Sequence, residues 1–331
     1  MPVVTPAGWL SSPLFYLFLI MKVSVFFTFL FLPFFVSPQH PAPKKLSIVK
    51  AAFTTKKLKG SPDFLASDGD DVWILNTGRV EKLSVRSKQP VLTVNIPDAC
   101  GALVVGFNAV WVASCSQQSV YRVDNKTGKI ICKIHCGVAD EAGEISLAVG
   151  DSAVWILSDS AGVLSRINPA TNTVVAKIAV LPNSYCAVYD YNGVWITNTN
   201  SNSVQRIDPK KNAVTATIPV GKAPRFVAAG ENGVWTLNQS DGTVSHIDPA
   251  LNEVVTEIDT KIPGTGGDIT TGAGRIWVRA KYGRLLQTIN PVTNVIETIY
   301  TPLAGSGAVR VTNHFIWVTA HDINTIWILK R

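Results

Sequence analysis

Six charged side chains stand where a repeating pattern otherwise puts small or apolar residues: Arg225, Asp268, Arg279, Arg310, His321 and Asp322. Their types define the chemistry open to them. An arginine fork matches the oxygens of a carboxylate or phosphate. A histidine beside a carboxylate can serve as a base or a metal ligand near neutral pH. An aspartate opposed to an arginine on the neighbouring strand makes an ion pair. The chain has no nucleophile elbow, no phosphate loop and no pair of metal-spaced histidines. The set therefore reads as a binding site for a small anionic ligand, formed by Arg225, Asp268, Arg279, Arg310 and Asp322. His321 is the candidate catalytic residue, and no metal ligand is assigned.

The background that makes these residues stand out is set by tryptophan. Trp73, Trp111, Trp155, Trp195, Trp235, Trp277 and Trp317 are separated by 38, 44, 40, 40, 42 and 40 residues. A period near 40 with one aromatic per unit is the signature of a propeller blade. Aligned on these tryptophans, the position two residues later reads Leu75, Ala113, Leu157, Thr197, Leu237, Arg279, Thr319. Nine residues before the tryptophan the column reads Phe64, Ala102, Ser146, Cys186, Phe226, Asp268, Ala308, and seven before it ends on Arg310. Asp268 should face Arg279 across a hairpin and pair with it. The strand directions put Arg225, His321 and Asp322 at one end of the ring, a place where closed β architectures bind ligands.

Each unit holds four short strands. Around Trp235 these are RFVAAG, GVWTLN, TVSHID and EVVTEI, β-branched runs cut by Gly, Asn, Asp and Pro. The third and fourth strands meet at a recurrent turn, NPATN at 168–172, DPKKN at 208–212, DPALN at 248–252 and NPVTN at 290–294. Proline presets φ there and the closing asparagine accepts a left-handed backbone. The fold class is therefore all-β, a seven-bladed β-propeller of four-stranded antiparallel blades. After Trp317 the chain has room for only one more strand, at 325–329. The segment 47–57 should supply the missing outer strand and close the ring.

Residues 44–331 form one propeller domain. Residues 1–43 read as a leader and short linker. From Met21 there follow a basic residue, an apolar run and the polar SPQHPAPKK, the layout of an export signal. The apolar stretch from Leu14 is also long enough to span a bilayer, so a membrane-tethered form is the alternative. The expected location is secreted or periplasmic, with membrane contact only through an uncleaved leader, and the expected state is a monomer. The net charge is +7, and much of it sits at Lys44, Lys45, Lys50, Lys56, Lys57 and Lys59. Lysines on an edge strand discourage edge-to-edge pairing. A basic face interleaved with aromatics is absent, which argues against nucleic acid as a partner. Of five cysteines, the register of the second blade opposes Cys100 and Cys115 as a disulfide pair, with Cys132, Cys136 and Cys186 left open.

The stretch SNSVQRIDPKKNAVTATIPVGKAPRFVAAGENGVWTLN at 201–238 resembles secreted YVTN-type propellers. It is also similar to the repeats of the streptogramin (virginiamycin B) lyase group. That resemblance covers roughly residues 60–329. It implies a seven-bladed exported propeller and, if activity is retained, a carbon–oxygen lyase opening a cyclic depsipeptide with a magnesium ion, a histidine base and acidic residues. The lyase residues do not map one by one onto this chain, and His321 is the only histidine at the mouth. Two function classes follow: a ligand- or protein-binding scaffold without a cofactor, and a metal-assisted lyase or hydrolase using magnesium.

Overall fold

A computed structural model describes residues 41–87, 89–136, 145–158, 160–262 and 264–331. The expected leader lies outside the described residues. Residues 41–331 form one compact unit. It contains seven sheets, each built round four antiparallel strands. Blade one spans 65–95, blade two 99–135, blade three 146–179, blade four 184–219, blade five 224–259, blade six 267–301 and blade seven 309–330.

Burial explains the strand grammar. The second strand of each blade lies between two sheets on both faces, and Gly193–Asn198 and Gly233–Asn238 are buried along their whole length. Outer strands such as Thr173–Ala179 alternate between exposed and covered positions, as an edge facing solvent should. Six of the seven repeat tryptophans are fully buried and Trp277 nearly so. The indole N–H of Trp111, Trp155, Trp195, Trp235 and Trp277 donates to the carbonyl five residues earlier, at 3.0–3.1 Å. Each ring is thus pinned to the end of its own first strand, which fixes its depth between sheets.

Neighbouring blades are latched through the third strand. Arg122, Arg166 and Arg206 lie over Trp111, Trp155 and Trp195, 4.9–5.0 Å from the ring centroids. Each then reaches the turn of the following blade. Arg206, for example, donates to the Pro249 carbonyl at 2.8 Å and to Asn252 at 2.9 Å. Those turn asparagines, Asn172, Asn212 and Asn252, have φ between 50 and 58°, the left-handed conformation that asparagine tolerates. From blade five to six the arginine is replaced by His246, which stacks on Trp235 at 3.7 Å and meets Asn294 at 3.1 Å. Blades six and seven carry Thr288 and Ile328 at this place in the register. They can form no such latch.

The N-terminal segment closes the ring, but it is divided between two blades. Thr54–Lys57 pairs antiparallel with Thr325–Lys330 and completes blade seven. Lys44–Ser47 runs parallel to Ile296–Thr301 and adds a fifth strand to blade six. A single helical turn, Ile48–Ala51, joins them, with Ile48 fully buried. The expected closure of blade seven by the 47–57 segment is made by its last four residues, Thr54–Lys57. The buried Ile48 side chain needs the turn to reach the core. Cys100 and Cys115 are disulfide-bonded across blade two, with Cα atoms 5.9 Å apart.

Candidate functional site

The first strands of all seven blades surround a central channel of about 300 Å³. Its wall is mostly aliphatic. Four aromatic residues, Phe64, Tyr185, Tyr189 and Phe226, line it, and Tyr185 and Phe226 meet edge to face at 5.6 Å. Its polar groups include Ser146, Cys186, Asp268 and Arg310.

Asp268 is buried and Arg310 is one-quarter exposed to the channel. Their side chains form an ion pair across the junction of blades six and seven. The Asp268 carboxylate also accepts the amide N–H of Ile269 at 2.9 Å and of Val309 at 3.0 Å. Burial pushes this carboxyl above its ordinary range, while Arg310 and the two amides pull it back. Arg310 binds through Nη1, and its Nε and Nη2 have no hydrogen-bond partner among the described residues. Those N–H groups remain available to a ligand.

Asp268 and Arg279 are register partners, as the columns require. They do not form the expected ion pair. Arg279 is fully buried and turns outward between blades six and seven. There it donates to the carbonyls of Thr319 at 3.1 Å, Ala304 at 2.8 Å, Gly305 at 2.9 Å, Leu285 at 3.3 Å and Ala280. The longer side chain reaches the loop carbonyls; the short carboxylate stays near the axis and finds Arg310. Burial lowers the Arg279 guanidinium to about 10, against the pull of Asp322, Asp63 and Asp268. Arg279 is not among the residues that line the channel, and its guanidinium is engaged by backbone carbonyls. Together these residues replace the missing latch between blades six and seven.

The mouth holds a second group. His321 starts a 3₁₀ turn, His321–Ile323, after the second strand of blade seven. Its Nε2 lies 2.5 Å from Asp322 and its Nδ1 lies 3.6 Å from Asp63. The second distance is too long for a hydrogen bond, and Nδ1 is otherwise without one among the described residues. The interaction is ionic, and Asp63 is the main influence raising the imidazole above its ordinary value, with burial opposing it. Asp63 was not among the residues singled out by sequence. The column ten residues before each tryptophan reads Asp63, Gly101, Ile145, Tyr185, Arg225, Gly267, Gly307 and would have revealed it. Arg225 belongs to that column and lies 3.7 Å over the Tyr185 ring, on the side of blades four and five. The six residues therefore do not converge. Asp268 with Arg310, His321 with Asp322, and Arg225 with Tyr185 occupy three places, and Arg279 is behind the wall.

A magnesium ion, implied by the resemblance, does not fit these residues. No group of three or more His, Cys, Asp or Glu among the described residues could hold a metal. Both imidazole nitrogens of His321 face carboxylates that raise its affinity for protons, which opposes ligation through neutral nitrogen.

No protein-family model matches the chain, and no curated protein matches it. The likeness is in the fold. Virginiamycin B lyase from Staphylococcus aureus superposes with a TM-score of 0.72 at 17% identity, covering 84% of this chain and 98% of that one. A catalytically inactive variant of that lyase with quinupristin gives 0.72 at 16%, covering 84% and 99%. BamB from Moraxella catarrhalis gives 0.60 at 14%, covering 81% and 84%. The chain is a seven-bladed propeller similar to virginiamycin B lyase.

Proposed function

We propose that this protein is an exported ligand-binding propeller whose site is the central channel on the side of blades four to seven. The observation that carries this is the half-open Arg310 guanidinium in a channel that the Tyr185–Phe226 pair also lines. Apolar walls with a few convergent polar groups suit a small ligand. The free N–H groups of Arg310 suit a carboxylate, and the aromatic pair suits an apolar or aromatic body. Arg225 over Tyr185 adds positive potential on the approach. The test uses N-acetyl-phenylalanine and its uncharged amide in calorimetric titration. The acid should bind and the amide should not, and Arg310→Gln should abolish the difference. Equal behaviour of acid and amide on the parent would refute the reading.

A lyase activity is the second reading, favoured by the placement of His321 between Asp63 and Asp322 at the mouth. Two carboxylates that raise the imidazole's affinity for protons favour its acting as a proton donor over a base. Incubation with quinupristin, followed by chromatography and mass spectrometry, decides it: linearised product that disappears in His321→Ala supports the lyase, and intact antibiotic rejects it.

A further inference from the structure

The ring closure leaves a surface that the channel reading does not use. Between Pro41 and Pro62 the chain carries six lysines and no acidic residue. Lys44, Lys45 and Lys50 are exposed there, and Lys330 joins them from the last strand. Among them stand Leu46 at 41%, Val49 at 61% and Phe53 at 52% exposure. Phe53 is positioned: its amide donates to the Ile328 carbonyl at 2.7 Å, its ring packs 5.8 Å from Phe315, and Lys330 lies 4.5 Å over it.

The topology puts these residues together. Lys44–Ser47 edges blade six, Ile48–Ala51 spans the gap, and Phe53 starts the edge of blade seven. Phe53, Lys330 and Lys44 lie toward the end of the ring that bears the blade hairpins, away from the mouth. The neighbouring carboxylates are already engaged, Asp70 by His314 at 2.7 Å and Glu297 by Arg275 at 2.6 Å. The patch therefore keeps its positive charge.

We propose that this face docks the propeller on an anionic lipid surface. Clustered lysines around exposed aliphatic and aromatic side chains are what an interfacial site requires: charges that attract acidic headgroups and apolar groups that enter the acyl boundary. The apolar stretch of the sequence ends at Val36, eight residues before Lys44. Docking through this face leaves the mouth turned to solvent.

The test uses residues 41–331, which contain every strand of the ring. Co-sedimentation is measured with phosphatidylcholine vesicles with and without about 30% phosphatidylglycerol, at about 0.05 M and about 0.5 M salt. Binding is expected only with the anionic lipid, and it should fall at high salt. The triple variant Lys45→Gln, Lys50→Gln, Lys330→Gln should bind about a hundredfold more weakly. Phe53→Ser should weaken binding about tenfold at either salt. Melting temperatures within the parent's range establish that the variants are folded. Equal binding to neutral and anionic vesicles overturns the proposal. So does a triple variant that binds like the parent. Equally tight binding to polyglutamate, indifferent to Phe53→Ser, also overturns it and assigns the patch to an acidic protein.

Discussion

Replacing Arg279 by Met tests whether the most conspicuous charged outlier serves structure or ligand. The side chain is fully buried and its guanidinium engages five backbone carbonyls. Leu285 keeps a second partner, because its carbonyl also accepts the Ala280 amide at 3.1 Å. The carbonyls of Thr319, Ala304 and Gly305 have no such substitute among the described residues. A buried acceptor stripped of its partner costs about 1–3 kcal/mol. Ala304 and Gly305 are half-buried, so water can meet part of their loss. Removing the guanidinium also removes its own desolvation cost, which burial expresses as a depressed pKa. The balance is a loss of about 3–5 kcal/mol. For a unit of about 290 residues, 1 kcal/mol is worth about 1.5–2 °C, so the melting temperature should fall about 5–9 °C. Calorimetry at neutral pH reads this directly. Arg279→Lys should recover part of the loss, since an ammonium can reach one or two of the carbonyls. If Arg279→Met melts with the parent but loses affinity for N-acetyl-phenylalanine, the assignment of this residue to the blade junction is wrong.

Four further outcomes are expected. Reducing Cys100–Cys115, or replacing both by Ser, should cost about 3 kcal/mol for a loop of 15 residues, read by denaturant titration. His321 gains affinity for protons on folding, so its contribution is complete below its ordinary value of 6.5 and is lost as pH rises through the higher folded value. His321→Gln should flatten that part of the stability–pH curve; an unchanged slope would show that Asp63 and Asp322 do not hold it. His246→Arg should restore the latch seen at Arg122, Arg166 and Arg206 and raise stability by up to about 1 kcal/mol, measured by melting temperature. Deleting residues 44–58 should abolish cooperative unfolding, since it opens blade seven and strips the edge of blade six.

The architecture was legible because it is repeated. Seven tryptophans, the asparagine turns and the alternating strands each state the blade several times over, so a single irregular unit could not mislead. The division of the closing segment between two blades was not legible. It depends on Ile48 finding a hole between sheets, a matter of shape that no local period encodes. Disagreement among the repeats located Asp268, Arg279 and Arg310 but gave the wrong partner for Asp268. Register decides which residues are opposite; side-chain length decides which carboxylate and which guanidinium meet, and that is set by the neighbouring blade.

The outliers divide into two kinds once the latches are seen. Arginine from the third strand ties blades two, three and four to their successors, and His246 ties five to six. At the next junction Thr288 can do neither. A ring must still be held there, and it is held from the first and second strands instead, by Asp268 on Val309 and Arg310 and by Arg279 on the loop of blade seven. Their clustering in adjacent blades is the consequence of one lost latch, and so is not by itself a sign of a site. Ligand chemistry needs something more, a polar group whose bonding capacity is incomplete and which borders open space. Arg279 has neither property. Arg310 has both: one nitrogen of its fork is fixed by Asp268, and the side chain lines the channel. A structural ion pair has thereby presented half of an arginine to the central channel.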